Sequence, residues 1–185
     1  MEESRMKNVE IRRPRKEDVE SIHDFFSLVI NDTYAQEGLG DRLREIQEEI
    51  ETKDGFLESD LAQALNHRHF LIAVDDRKVM GTAEYGPPNE IIRNLPKDPC
   101  KDLVEIGTVF VHPERQGQGI GSQLLHAIFL ALKEQGIEEF CLDSGYTKAK
   151  KIWRKKFGEP AHILKDYWGP GFDHLIWMIR ISDLI

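Results

Sequence analysis

The sequence predicts an α/β fold: a mixed sheet whose N-terminal strands are mostly antiparallel, with helices on both faces. Three observations predict it. Short β-branched and aromatic runs alternate with longer stretches of helical periodicity. Two of those runs are joined by a polar loop as a hairpin. A glycine-rich segment then separates the most apolar strand from an amphipathic helix.

In chain order, Val9 to Arg13 reads as a short strand, and Pro14 opens a helix whose apolar residues Val19, Ile22, Phe25, Phe26, Val29 and Ile30 recur at helical spacing. A glutamate-rich stretch with Leu43, Ile46 and Ile50 predicts a second, exposed helix, and Leu61, Ala64 and Leu65 predict a third, shorter one. Phe70 to Val74 and Val79 to Tyr85 form the hairpin across a four-residue loop, Asp75-Asp76-Arg77-Lys78. Pro87, Pro88, Pro96 and Pro99 punctuate an irregular connection before the strand Leu103 to Val111. A helix through Leu124, Leu125, Ile128, Phe129 and Leu132 ends at Gly136, and Ile137 to Asp143 is the next strand. Thr147 to Phe157 is a basic helix with Ala149, Ile152 and Trp153 inward, and Ile163-Leu164 and Leu175 to Ile181 are closing strands.

A chain of 185 residues is expected to be one domain, 1–185, able to bury roughly two-thirds of its unfolded surface. The net charge of −8 disfavours nucleic acid as a partner and suits a cationic one. No apolar run approaches the length of about 20 residues that spans a bilayer, and the start Met1-Glu2-Glu3-Ser4-Arg5 lacks the apolar core of a signal peptide, so a cytoplasmic protein without a membrane partner is expected. Two cysteines, Cys100 and Cys141, are too few for a disulfide framework, and Cys141 within Phe140-Cys141-Leu142 reads as a small buried hydrophobe.

The chemistry concentrates between Val111 and the helix that begins near Gly121, in His112-Pro113-Glu114-Arg115-Gln116-Gly117-Gln118-Gly119-Ile120-Gly121. A helix N-terminus presents unpaired N–H groups and a positive dipole end, and glycines let an anion approach that backbone. The expected ligand is a phosphate or pyrophosphate. A P-loop would end in Gly-Lys-Ser or Gly-Lys-Thr, which is absent. A dinucleotide fingerprint has Asp143 in its favour as a ribose-binding acid at the end of the next strand. Against it, five residues separate Val111 from Gly117, and Leu124 stands where the third glycine belongs.

The segment Gln116 to Gly121, preceded by Val109-Phe110-Val111-His112-Pro113-Glu114, resembles the Q/R-x-x-G-x-G/A signature of the GNAT acetyltransferases. The resemblance extends over most of the chain. It implies an acyl-CoA-dependent N-acetyltransferase (EC 2.3.1.-) that uses acetyl-CoA as cosubstrate and no metal. Gln116, Gly117, Gln118, Gly119, Ile120, Gly121 and Ser122 would receive the coenzyme's pyrophosphate. In relatives the preceding strand bulges and its main chain pairs with the pantetheine arm and acetyl carbonyl; the matching positions are Val109, Phe110 and Val111. Such main-chain donors also suit an oxyanion, each worth about 2.7–4 kcal/mol.

The acceptor amine needs a base, because at a lysine-like pKa of about 10.4 only about one molecule in 2,500 is neutral at pH 7. Histone-acetylating relatives carry a catalytic glutamate eleven residues before the signature's first residue, which is Glu105 here. Glu84, on the hairpin strand, and His112 are the alternatives, and a simple edge-facing glutamate is the non-catalytic reading of Glu105. Many relatives supply an acid from a tyrosine in A-x-x-F-Y-x-K-x-G-F; this chain reads Ala149-Lys150-Lys151-Ile152-Trp153-Arg154-Lys155-Lys156-Phe157-Gly158, with Trp153 in the tyrosine's place. Trp153 reads as packing, Tyr146 and Tyr167 are candidate acids, and a thiolate of pKa near about 8.5 leaves with little help. Lys150 is a candidate contact for the coenzyme's nucleotide phosphate, set against a solvated helix face. His67 and His69 form an H-x-H pair without an evident third ligand, so no metal site is expected.

The resemblance places the acceptor, a small-molecule or peptide amine, against the first two helices, the hairpin and the connection between the last two strands. Asn31 to Glu37, Glu45, Glu48 and Glu49 would favour a cation there, or form a solvated face. A homodimer is compatible with the resemblance. The alternative to an enzyme is a non-catalytic acyl-CoA-binding sensor or interaction module, to which the missing tyrosine lends weight.

Overall fold

A computed structural model describes residues 9–96 and 99–185; the segment Met1 to Arg5, in which no signal-peptide core was expected, lies outside the described residues. The elements are β1 (Glu10–Arg12), α1 (Val19–Gln36), α2 (Leu43–Leu61), β2 (His69–Asp75), β3 (Lys78–Gly86), α3 (Glu90–Arg93), β4 (Val104–Val111), α4 (Ile120–Glu134), β5 (Glu139–Ser144), α5 (Thr147–Phe157), β6 (His162–Leu164) and β7 (His174–Arg180). The strands form one mixed sheet in the order β1-β2-β3-β4-β5-β7-β6. β1 is antiparallel to β2, with Ile11 opposite Ala73. β4 runs parallel to β5 at Val104↔Phe140 and Glu105↔Cys141, while β7 is antiparallel to both β5 and β6.

The expected order of elements holds, with four local corrections. Leu61, Ala64 and Leu65 do not make a third helix: α2 runs through Gly55 to Leu61, and the chain then turns through left-handed Gln63 and Asn66, leaving Leu65 93% exposed. The hairpin loop is two residues, Asp76-Arg77, rather than four. Both have positive φ (46° and 64°), the conformation whose twist matches two antiparallel strands. A one-turn helix, α3, interrupts the proline-rich connection, capped by the Asn89 side chain accepting from the Ile92 N–H. In α5 Ile152 faces outward, whereas Trp153 is buried and stacked on Phe157 at 5.7 Å.

Packing groups the chain into two compact units, one running to Glu84 and including Thr108–Ile128, the other comprising Tyr85–Gly107 and Phe129–Ile185. In the first, α1 turns Ile22, Phe25, Phe26, Val29 and Ile30 toward Ile46, Ile50 and Leu57 of α2 and Phe70 and Ile72 of β2. Each such side chain contributes about 1.5–3 kcal/mol on burial. Asp60, 1% exposed at the end of α2, accepts from Arg13 Nη2 at 2.6 Å and from the Phe70 N–H at 2.9 Å, which ties the chain just after β1 and the start of β2 to α2. In the second unit, Ile92, Cys100, Cys141 and Ile176 pack together, and Phe129 stacks on Phe140 at 5.4 Å. Both cysteines are buried thiols, as a reading of Cys141 as a core residue requires. Among the described residues no helix is long and apolar enough to cross a membrane.

Candidate active site

In the first unit the chemistry begins on β4. Inside this strand Thr108 has φ +48°, a left-handed conformation that a β-branched residue rarely adopts. A left-handed residue is one way in which a strand bulges, and this one stands immediately before the Val109-Phe110-Val111 expected to do so. The Thr108 carbonyl accepts from Thr82 Oγ1 at 2.8 Å, and Thr108 Oγ1 donates to Glu84 Oε1 at 2.9 Å. Glu84 Oε2 in turn accepts from Arg68 Nε at 2.6 Å. Glu84 is 1% exposed and bonded to both a guanidinium and a hydroxyl, the surroundings of a buried structural pair.

Beyond β4 the His112 N–H donates to the Met80 carbonyl, and His112 Nδ1 accepts from the Glu114 N–H at 3.3 Å, opening a short 3-10 turn that Pro113 begins. His112 is therefore a local cap. Gln116 Nε2 reaches back to the Val111 carbonyl at 3.3 Å, and Arg115 bonds both Gln118 Oε1 at 2.9 Å and Asp75 Oδ2 at 2.6 Å, fixing the loop's approach. Gly117 and Gly119 have φ of +73° and +83°, with open space where a Cβ would stand. The Gln123 N–H bonds the Gly119 carbonyl, which makes Gly119 the cap of α4 and directs the first-turn amides of Ile120, Gly121 and Ser122 out of the helix end. Gly81 lets α4 lie this close to β3: a Cβ there would come within 2.9 Å of Ile120 Cγ2 and Leu124 Cδ1, and 3.2 Å of the Phe110 carbonyl.

In the second unit Glu105 is 4% exposed at the start of β4. Its carboxylate accepts from the Asn89 N–H at 2.6 Å and from Asn89 Nδ2 at 3.1 Å. The same Nδ2 donates to Asp143 Oδ2 at 2.8 Å, so Asn89 caps α3 while holding two carboxylates. Asp143 Oδ2 also meets His174 Nε2 at 2.8 Å, and His174 Nδ1 accepts from Trp168 Nε1 at 3.0 Å. An indole N–H only donates, so the hydrogen-bond pattern places the imidazole proton on Nε2, toward Asp143. Asn89, Asp143 and His174 thus extend the surroundings of Glu105 beyond the residues that sequence reasoning selected. Asparagine is a favoured N-cap residue, but in sequence this stretch reads as an irregular connection and nothing local links Asn89 to Glu105.

Tyr146 is the N-cap residue of α5, its N–H donating to Ser144 Oγ at 3.2 Å. Tyr167 is 48% exposed, with its ring 4.9 Å from Trp168 and 5.7 Å from His174, so it joins the aromatic cover of the Asp143–His174 pair. Lys150 Nζ donates to the Asp173 carbonyl at 3.0 Å. Hydrogen bonding from the Asp166 N–H, with Lys165 and Lys150 nearby, holds the Asp173 carboxyl below its ordinary range. On α2, Glu45, Glu48 and Glu49 lie beside Arg42, Arg44 and Lys53, the pattern of a solvated helix face.

His67 and His69 have their rings 4.3 Å apart, and Asp60 Oδ1 lies 3.5 Å from His67 Nε2, so a third potential ligand does stand beside the pair. Its oxygens already serve Arg13 and Phe70. Burial, with His67 adjacent, lowers the His69 pKa.

A mixed sheet in which a strand with a left-handed residue leads into a glycine-capped helix start makes an α/β protein with main-chain donors set out as an anion requires. The chain belongs to the acetyltransferase (GNAT) family, whose model matches residues 31–158. No curated protein sequence matches it. Its fold is similar to that of a GNAT-family protein from Desulfovibrio desulfuricans (TM-score 0.69, 18% identity, 94% of this chain and 99% of that one). It is also similar to PaiA N-acetyltransferase from Thermoplasma acidophilum, solved with coenzyme A (0.63, 19%, 94% and 99%). A third is a ribosomal-protein-alanine N-acetyltransferase from Brucella melitensis (0.64, 21%, 92% and 99%).

Proposed function

We propose that the chain is a single-domain, cytoplasmic N-acetyltransferase that moves an acetyl group from acetyl-CoA to the primary amine of a small-molecule or peptide acceptor. The observation that carries this reading is the passage from left-handed Thr108 through Val109-Phe110-Val111 to the Gly119-capped start of α4. Family membership and a similar fold solved with coenzyme A support it. The residues fit the coenzyme: Gly117 and Gly119 leave space beside the main chain, and the first-turn amides of α4 are the donors a pyrophosphate requires. When bound, acetyl-CoA supplies the thioester carbonyl that the amine attacks.

Within this reading Gln116 to Ser122 hold the diphosphate, and the main chain of Val109 to Val111 holds the pantetheine arm and steadies charge on the acyl oxygen. Glu105 accepts the amine's proton. Because both its oxygens already take hydrogen bonds from Asn89 and the side chain is almost wholly buried, the proton reaches it through water. Tyr146 or Tyr167 returns a proton to the leaving thiolate, and Lys150 meets the nucleotide phosphate.

A non-catalytic acyl-CoA-binding module is the second reading, and one observation favours it: Trp153, in the tyrosine's position, is buried against Phe157 and presents no acid. Calorimetry with coenzyme A, followed by thiol release from acetyl-CoA across a panel of polyamines, aminoglycosides and peptide N-termini, separates the two. Binding with thiol release on at least one amine is expected. Binding without release across the panel establishes the module, and no binding by folded protein removes both.

A further inference from the structure

Thr108 poses a question that the coenzyme reading leaves open: why a β-branched residue occupies a left-handed position. Gly107 stands immediately before it and does not adopt a positive φ. A glycine at position 108 would take that conformation without strain. The side chain is therefore present for what it bonds, and both its hydroxyl and its carbonyl are engaged, with Glu84 Oε1 at 2.9 Å and Thr82 Oγ1 at 2.8 Å. Neither partner is free to drift. Glu84 is 1% exposed and ion-paired to Arg68 at 2.6 Å; Arg68 is 6% exposed and lies over the Phe56 ring at 4.9 Å; Thr82 is fully buried on β3. Strained backbone persists only where its surroundings over-determine it, and here two side chains from β3 fix the residue from its hydroxyl and its carbonyl.

We propose that Arg68, Glu84 and Thr82 form a positioning device: a buried ion pair and a hydroxyl that lock Thr108 in its left-handed conformation and so hold the main chain of Val109 to Val111 turned toward the coenzyme. None of the three touches substrate. They act through Thr108, and the inference rests on the coenzyme reading for the purpose of the bulge, though not for its cause. The device also explains why the hairpin strand β3 carries a glutamate and a threonine on buried positions: both are spent on the neighbouring strand's geometry.

The test compares Thr108→Val, which removes the hydroxyl at nearly constant shape, with Thr108→Ser, which keeps it. Coenzyme A affinity is read by calorimetry, kcat and KM for acetyl-CoA by thiol release, and the backbone by coenzyme-free crystal structures. In the valine variant residue 108 is expected to leave the left-handed region, and Kd and KM for the coenzyme to rise about tenfold to a hundredfold, because binding must then restore a strained conformation that its surroundings no longer hold. At saturating acetyl-CoA kcat moves less than KM, and the serine variant stays within about threefold of the parent in both. A valine variant that melts cooperatively, keeps φ near +48° and binds coenzyme A like the parent overturns the inference. If the valine variant does not fold, Thr82→Val, which withdraws the other hydroxyl, carries the same expectations and the same refutation. If the parent itself binds no coenzyme A, the coenzyme reading fails separately, and the φ of residue 108 in the variant structures still decides whether the network sets the bulge.

Discussion

Two buried glutamates on adjacent strands, Glu84 on β3 and Glu105 on β4, have the same charge and nearly the same exposure, yet their surroundings differ in kind. Glu84 is held by a guanidinium and a hydroxyl. Glu105 accepts from the N–H and the side-chain amide of Asn89, and that amide also serves Asp143 and, beyond it, His174 and Trp168. A buried carboxylate paired with a cation serves architecture, because removing either partner leaves the other buried and uncompensated. The Asn89 amide instead joins Glu105 to a run of polar and titratable groups. The difference fits a structural part for the first and the proposed chemical part for the second, and both were candidate bases in the sequence.

Substitution of each should break the comparison in opposite ways. Glu105→Gln is expected to lower turnover by roughly 10²–10⁴-fold on any amine that the parent acetylates, with coenzyme A affinity nearly unchanged. Kinetics at neutral pH beside calorimetry check it; unaltered turnover removes Glu105 as the base. Arg68→Met, which keeps a side chain over Phe56 but strands Glu84, is expected to cost about 3–5 kcal/mol of stability. That appears as a fall in Tm of about 2–4 °C for each kcal/mol. Adding Glu84→Gln to Arg68→Met should recover much of the loss, because the uncompensated charge is gone; a double variant no more stable than the single one contradicts the ion-pair account.

How far the sequence foretold this depends on whether the signal was local. The glycine loop, the cap at Gly136 and the extent of α5 were legible because each is written in consecutive residues: Gly136 takes φ +73°, and the Ile137 N–H closes back on the Leu132 carbonyl as such a stop requires. The hairpin was legible, but its loop was read too long, since Asp76-Arg77 lacks the Asn-Gly or Asp-Gly pattern that marks a two-residue turn. Thr108 gave no warning, because a threonine between Gly107 and Val109 fits an ordinary strand and the bonds that twist it come from residues 24 and 26 positions away. Asn89 was equally silent toward Asp143, 54 residues distant. Asp60 went unseen beside His67 and His69 because a helix end and a strand start meet there only in space.

Two glycines sharpen the same contrast on a smaller scale. Gly81→Ala forces a Cβ against Ile120, Leu124 and the Phe110 carbonyl, a carbonyl that cannot swing aside, so a loss of about 1–3 kcal/mol in a chemical melt and weaker coenzyme A binding are expected together. Gly145→Ala places a Cβ within 2.5 Å of Trp168 Nε1, but Trp168 is 58% exposed and can move outward. Stability should then change by less than in Gly81→Ala, while the indole's hydrogen bond to His174 is lost. Tryptophan fluorescence should report the movement and the KM for the amine its consequence; an unshifted emission spectrum would show that the loop absorbs the methyl without releasing His174.

The smallest effect concerns His69, whose pKa lies below the ordinary 6.5 through burial, with the neighbouring His67 adding to the shift. Depression means that the unfolded chain binds a proton at a pH where the folded chain does not, so stability rises with pH across that window. Its contribution is complete above about 6.5, declines as pH falls below that value and is gone once the folded imidazole protonates. His69→Gln removes this titration while Asp60, Arg13 and His67 remain. Urea midpoints measured for parent and variant between about pH 5 and 7.5 should fall more steeply toward the acid end in the parent, whose folded state disfavours the charged imidazole, than in the variant. Parallel curves would mean that the imidazole titrates alike in both states, and that the close approach of the two rings has no electrostatic consequence.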